Sequence, residues 1–175
     1  EMTAEQIVAE VIKDKIYFKA SGGGVTFSGG EPLMQPRFTA QTMKKCREAG
    51  VSTAVETCGY ASWKTAEMVF QEADYILYDI KHMDSETHRA LTGVGNEQIQ
   101  ENLRKAVKEL HKRVWLRLPL ISGINDSNSE IGDVAHLAES LDGNVEQIWL
   151  LPYHNLGLSK LEALGMPDQE MKRFQ

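Results

Sequence analysis

Apolar and polar positions along this chain follow a repeating unit, in which a run of four to six apolar residues precedes a stretch with apolar residues at helical spacing. An amphipathic helix is predicted first, from Thr3 to about Lys15, and Thr3 and Gln6 have the spacing of a capping box. The first apolar run is Gly24–Phe27. Pro36 then suits the first position of a helix, and Phe38 to Ala49 keep a helical period until Gly50 stops it. The second run, Val51–Val55, leads to a helix from Ser62 to about Glu72. The third, Tyr75–Ile80, leads to two helical pieces, Ser85–Thr92 and Glu97–Lys112. The fourth, Arg113–Leu118, leads to a helix from about Ser129 to Leu141. The fifth, Val145–Leu151, runs into Pro152.

Strands that alternate with helices pair in parallel through crossovers, and the runs read as apolar on both faces, as expected when helices cover a sheet. The polar residues placed after the runs narrow the architecture. Ser28, Gly29, Gly30 and Glu31 follow the first run, and Glu56 and Thr57 the second. Asp79 and Lys81 stand at the end of the third, Arg117 late in the fourth, and Tyr153 and His154 after the fifth. In a βα barrel the loops after all strands share one mouth, whereas in a doubly wound sheet polar groups gather only at the switch point. Five successive strands with polar ends therefore predict an α/β, TIM-like barrel wall. A complete eight-stranded barrel takes about 250 residues, so a 175-residue chain is expected to be a smaller open barrel or a portion of a larger one.

Composition adds exclusions. The net charge of −6 gives no basic footprint for nucleic acid, and no apolar run approaches the roughly 18 residues of a membrane helix. No secretory signal opens the chain, and two cysteines, Cys46 and Cys58, make neither a disulfide framework nor a zinc site. A cytoplasmic protein with reduced thiols is expected.

The densest chemistry lies in "ASGGGVTFSGGEPLMQP", Ala20 to Pro36. A phosphate-binding P-loop needs Lys-Ser/Thr after its last glycine, but Glu31 and Pro32 follow Gly30 here. The dinucleotide fingerprint fails as well, because Gly22 and Gly24 precede the strand instead of opening a helix after it. Two readings remain: tight turns at the entry and exit of a strand, or exposed backbone beside a carboxylate, which suits a ligand carrying an ammonium group.

"VTFSGGEP" resembles the Gly-Gly-Glu-Pro motif of radical S-adenosylmethionine (SAM) enzymes, which binds the methionyl ammonium of SAM. "SGGGVTFSGGEPLMQP", "ETCGY", "DYILYDIKHMD", "HRALTGVGNEQIQENL", "VWLRLPLISGIND" and "IWLLPYHNLGLSKLEALG" together resemble, in order, the glycyl-radical-enzyme activating enzymes, with the pyruvate formate-lyase activating type as default. The resemblance covers nearly the whole chain. It implies a partial (βα)₆ barrel, a [4Fe–4S] cluster held by a Cys-x₃-Cys-x₂-Cys loop, reductive cleavage of SAM, and hydrogen abstraction from a glycine of a partner glycyl radical enzyme. An electron donor such as flavodoxin or ferredoxin is implied too. By motif position, Ser28, Gly29, Gly30 and Glu31 would hold the SAM ammonium. Glu56 and Thr57 would border the methionyl group, with Glu56 and Asp79 beside a monovalent cation. Lys81 would pair with the SAM carboxylate, and Arg117 and His154 would line the rest of the pocket.

The sequence departs from that family in one respect: it contains no Cys-x₃-Cys-x₂-Cys. Residues 1–175 are therefore expected to be part of one radical SAM core domain, without the first strand, the cluster loop and the C-terminal tail, and to be inactive alone. The partner expected by default is pyruvate formate-lyase. Alternatives are another glycyl radical enzyme (a decarboxylase, dehydratase or lyase) and a cluster-less barrel that binds SAM or a protein without chemistry. A further rival is a Schiff-base barrel using Lys81. An unpaired edge on the first strand is expected to be sticky.

Overall fold

The computed structural model describes residues 1–141 and 143–152. Thr3 caps α1 (Ala4–Lys13): its hydroxyl accepts from the Gln6 amide, and the Gln6 side chain accepts from the Thr3 amide. The sequence reading ran this helix on to Lys15. Instead the chain breaks at Asp14 and restarts as α2 (Lys15–Ser21), which ends on the left-handed Gly22. Then follow β1 (Gly24–Phe27), a 3₁₀ turn (Pro32–Met34), α3 (Pro36–Glu48), β2 (Ser52–Thr57), α4 (Trp63–Phe70) and β3 (Tyr75–Asp79). The remaining elements are α5 (Ser85–Thr92), α6 (Glu97–Lys108), β4 (Arg113–Leu120), α7 (Asn128–Glu139) and β5 (Val145–Pro152). Pro36 occupies the first turn of α3, as expected.

The five strands form one parallel sheet in the order β1-β2-β3-β4-β5. Sequential order with no switch point is the wall of a βα barrel, so every βα loop opens on the same side. β4 runs two residues further than its apolar pattern suggested. Pro119 brings no amide to the ladder and stands beyond the end of β3, whose last paired residue, Asp79, lies opposite Arg117.

The sheet is not apolar on both faces. Its helix-covered face carries Val55, Ile76, Tyr78, Val114, Leu116 and Leu118, each buried, with Phe70 of α4 and Leu103 of α6 packed over them. The opposite, concave face carries Ser52 and Glu56, Tyr75 and Asp79, Arg113, Trp115 and Arg117, and none of these is fully buried. Strict alternation in β2 and β4 produces the split. Helices cover only one side of a barrel wall, so the inward positions are free to be polar. Tyr75, Trp115 and Trp149 stack along this face with ring centroids 5.6 and 5.1 Å apart, and all three line a cavity of about 420 Å³ with Gly24, Thr26 and Leu77.

Gly24 is fixed by packing: a Cβ there would stand 2.1 Å from the Ser52 carbonyl oxygen. Close pairing of β1 and β2 therefore requires glycine at the start of β1.

Candidate functional site

The carboxyl ends of β1 to β4 bring the polar residues singled out in the sequence to one rim. After β1, the chain turns through Ser28, Gly29 and Gly30. Gly29 has φ +116°, a conformation that L side chains rarely adopt. A Cβ at Gly29 or Gly30 would meet no protein atom within 4 Å, so internal crowding does not exclude side chains here. The room in front of the loop is available to a ligand.

Glu31 is turned back into the protein. One carboxylate oxygen accepts from the Thr57 hydroxyl at 2.6 Å and the Leu33 amide at 3.1 Å; the other accepts from the Cys58 amide at 3.0 Å. Three donors fix this carboxylate between the glycine loop and the end of β2 and leave it one open acceptor position. Its first duty is to hold the loop, and any bond to an ammonium would be added to that.

On the concave face, Glu56, Asp79 and Arg117 form a partly buried trio. Arg117 Nε donates to Asp79 Oδ1 at 2.8 Å, and Arg117 Nη2 donates to Glu56 Oε1 at 2.8 Å. Burial by itself would lower the Arg117 guanidinium. The hydrogen bonds and charges of Glu56 and Asp79 outweigh it and hold the group above its ordinary value. The cation between these two carboxylates is thus the protein's own guanidinium. Lys81 Nζ lies 3.5 Å from Asp79 Oδ2, and its side chain is 43% exposed, which leaves ammonium hydrogens free toward solvent.

Cys46 is wholly buried in α3. Cys58 is half-buried beside Glu31; burial pushes its thiol up, and Glu31 adds to the effect. Among the described residues no three His, Cys, Asp or Glu side chains converge as a metal-binding set. His154, expected along the same pocket, lies outside the described residues.

Sequence reasoning missed the residues that hold these loops in place. Asn125 Nδ2 donates to the carbonyls of Lys81 and Pro119, both at 2.8 Å. Glu130 accepts from the Met83 amide, Asn96 grips the same loop at His82 and Met83, and Asn102 grips the loop after β2. A signal was present: Asn102 falls within the apolar stripe of Ile99, Leu103 and Ala106, where a polar side chain must have a buried partner.

The sequence signature of the radical SAM superfamily matches residues 1–138. The chain is 40% identical to the pyruvate formate-lyase-activating enzyme of Clostridium pasteurianum over 95% of its own length and 68% of that relative's. It is 42% identical to the isethionate sulfite-lyase activating enzyme of Nitratidesulfovibrio vulgaris over 93% of its length and 52% of the relative's. Among solved structures, a domain of pyruvate-formate lyase-activating enzyme from Bacteroides vulgatus superposes with a TM-score of 0.68 at 40% identity, covering 76% of this chain and 82% of that one. The chain thus spans between about half and two thirds of the length of these curated relatives. With the parallel barrel wall and the rim of polar strand ends, these likenesses establish that the chain belongs to the radical SAM superfamily and, within it, to the glycyl-radical-enzyme activating enzymes.

Proposed function

We infer that this chain forms the SAM-binding part of an activating enzyme that acts on a glycyl radical enzyme, within one radical SAM core domain. The observation that carries the reading is the rim itself. One loop offers backbone and room for an amino group, two carboxylates stand near it, and the half-exposed Lys81 ammonium faces solvent beside Asp79. An α-amino acid head, with one ammonium and one carboxylate, matches that charge pattern. Gly29 and Gly30 receive the ammonium with the spare acceptor of Glu31, Lys81 pairs with the carboxylate, and Thr57 keeps Glu31 aimed. Arg117 donates to both Glu56 and Asp79 at the edge of the pocket and balances part of their charge. Bound SAM supplies the sulfonium to 5′-carbon bond whose reductive cleavage is the chemistry of the family.

The [4Fe–4S] cluster of the family does not fit the residues present. The sequence has two cysteines, one sealed in α3 and the other held as a thiol beside a carboxylate, and three thiolates are required. The protein substrate is a glycyl radical enzyme, with pyruvate formate-lyase the default, and the electron comes from a flavodoxin or ferredoxin. The relatives' names, activating enzymes of several such enzymes, support the protein substrate; the electron donor rests on the family resemblance alone. Among the described residues no helix is long and apolar enough to cross a membrane.

The test is isothermal titration of the chain with SAM. Saturable binding that Lys81→Ala weakens by about tenfold, the worth of one charge-assisted hydrogen bond, is expected. Failure of the wild-type chain to bind SAM would overturn the reading.

A further inference from the structure

Two rim loops carry the proposed ammonium and carboxylate contacts, and a single helix grips both. Asn96, the residue before α6, is 5% exposed, and its side-chain amide donates to the carbonyls of His82 (2.9 Å) and Met83 (2.7 Å), directly after Lys81. Asn102, one turn into α6 and 1% exposed, donates to the carbonyls of Gly59 (2.9 Å) and Ala61 (2.8 Å), directly after Cys58. Gln98 adds a bond to Ala61, and the buried Tyr78 hydroxyl donates to the Ile99 carbonyl, which ties the helix to the middle of the sheet. The grip is transmitted inward on the Asn102 side. Gly59 donates to Thr57 Oγ1, and Thr57 Oγ1 donates to Glu31. Gly59 sits so tightly on Tyr78 that a Cβ would be 1.7 Å from its hydroxyl oxygen, so only glycine fits where this loop crosses Tyr78.

An ordinary surface helix needs no side-chain amides in its buried stripe, since apolar packing suffices. Asn96 and Asn102 each satisfy two loop carbonyls that have no strand partner, and each loop belongs to a different half of the amino-acid head site. We propose that Asn96 and Asn102 are positioning residues, and that α6 sets the spacing between the Glu31 side and the Lys81 side of the site to fit an α-amino acid head. This inference rests on the SAM reading above. Asn96 acts through Lys81 on the ligand's carboxylate, and Asn102 acts through Thr57 and Glu31 on its ammonium.

The experiment titrates the full chain with three probes: SAM, decarboxylated SAM, which keeps the ammonium alone, and 5′-methylthioadenosine, which has neither group. Asn96→Ala should weaken SAM about tenfold, the worth of one charge-assisted hydrogen bond, and leave the other two probes unchanged, as Lys81→Ala does. Asn102→Ala should weaken SAM and decarboxylated SAM together and spare 5′-methylthioadenosine. A loss of folded protein would lower all three probes by one factor, so the pattern separates positioning from stability. Gln98→Ala, at an exposed position, serves if Asn102→Ala does not fold, and should give the Asn102 pattern in weaker form. Equal losses on all three probes, or no loss, would overturn the clamp while Lys81→Ala still upholds the site. A wild-type chain indifferent to the three head groups removes the SAM reading and the clamp together.

Discussion

The two ends of the sheet hold similar charged residues and use them differently. At the amino end, three cations reach backbone carbonyls, while Arg113 pairs with the Glu146 side chain. Lys15 donates to the Ala49 carbonyl, where α3 ends, and Lys112 donates to the carbonyls of Gln71 and Ala73, where α4 ends. Arg47 reaches the Gln71 carbonyl and Glu72, while Asp74 accepts from the Thr53 amide and the Ser52 hydroxyl. Lys15, Lys112 and Arg47 thereby satisfy carbonyls at helix C-termini, where positive charge is favoured. At the carboxyl end, the Arg117 side chain is bound among the described residues to the carboxylates Glu56 and Asp79, and Lys81 keeps much of its surface. The backbone there is held by the neutral amides of Asn96, Asn102 and Asn125 together with the carboxylates of Glu31 and Glu130. The difference teaches that residue type alone does not mark a site. Charges consumed by backbone stabilise the fold, while Lys81, which keeps solvent-facing hydrogens beside the Arg117 trio, remains available to a ligand.

The largest effect should come from the layer that both ends share. Leu116 is fully buried in β4, and Leu116→Ala should cost about 2–5 kcal/mol in urea denaturation. A smaller loss, with SAM binding intact, would mean that the ends are supported independently. Next comes Arg117→Leu, which strands Glu56 and Asp79. With Glu56 partly open to water, a loss of about 1–3 kcal/mol is expected, together with weaker SAM binding. Adding Glu56→Gln should restore part of the stability, and a double-mutant cycle with no coupling would refute the trio. At the amino end, Asp74→Ala removes the acceptor for the Thr53 amide and should cost about 1–2 kcal/mol with an unchanged SAM titration. A change in SAM affinity there would erase the contrast between the ends.

The smallest effect is on pH. Burial raises the thiols of Cys46 and Cys58 above 9.0 and the Tyr78 hydroxyl well above 10.0. In the folded chain these groups therefore keep their protons after the unfolded chain has begun to lose its own. The unfolded state binds fewer protons above pH 9, so stability should fall as pH rises from there. Urea midpoints between pH 8 and pH 10.5 measure the slope, and Cys58→Ala should make its onset shallower.

The elements show where legibility stops. Apolar periodicity placed every strand and all helices but one to within a few residues, because burial on a regular backbone forces a regular pattern. The exception, α2, follows a local break at Asp14 and has no buried residue of its own to imprint a period. The likeness of the rim motifs to known enzymes supplied Ser28 to Glu31, Glu56, Thr57, Lys81 and Arg117 as a set. Which of them touch was invisible, since Arg117 lies 61 residues from Glu56 and 38 from Asp79, and register between strands brings them together.

By itself, then, the sequence determined the order of elements, the parallel barrel wall and the membership of the rim, all of which depend on local period and motif. Only the tertiary structure decided that Glu31 turns inward to three donors, that Arg117 fills the space between two carboxylates, and that α6 grips two loops at once. Those are choices of direction among hydrogen-bonding groups. They depend on which donors and acceptors long-range strand register leaves without backbone partners, and a one-dimensional pattern of polarity does not carry that information.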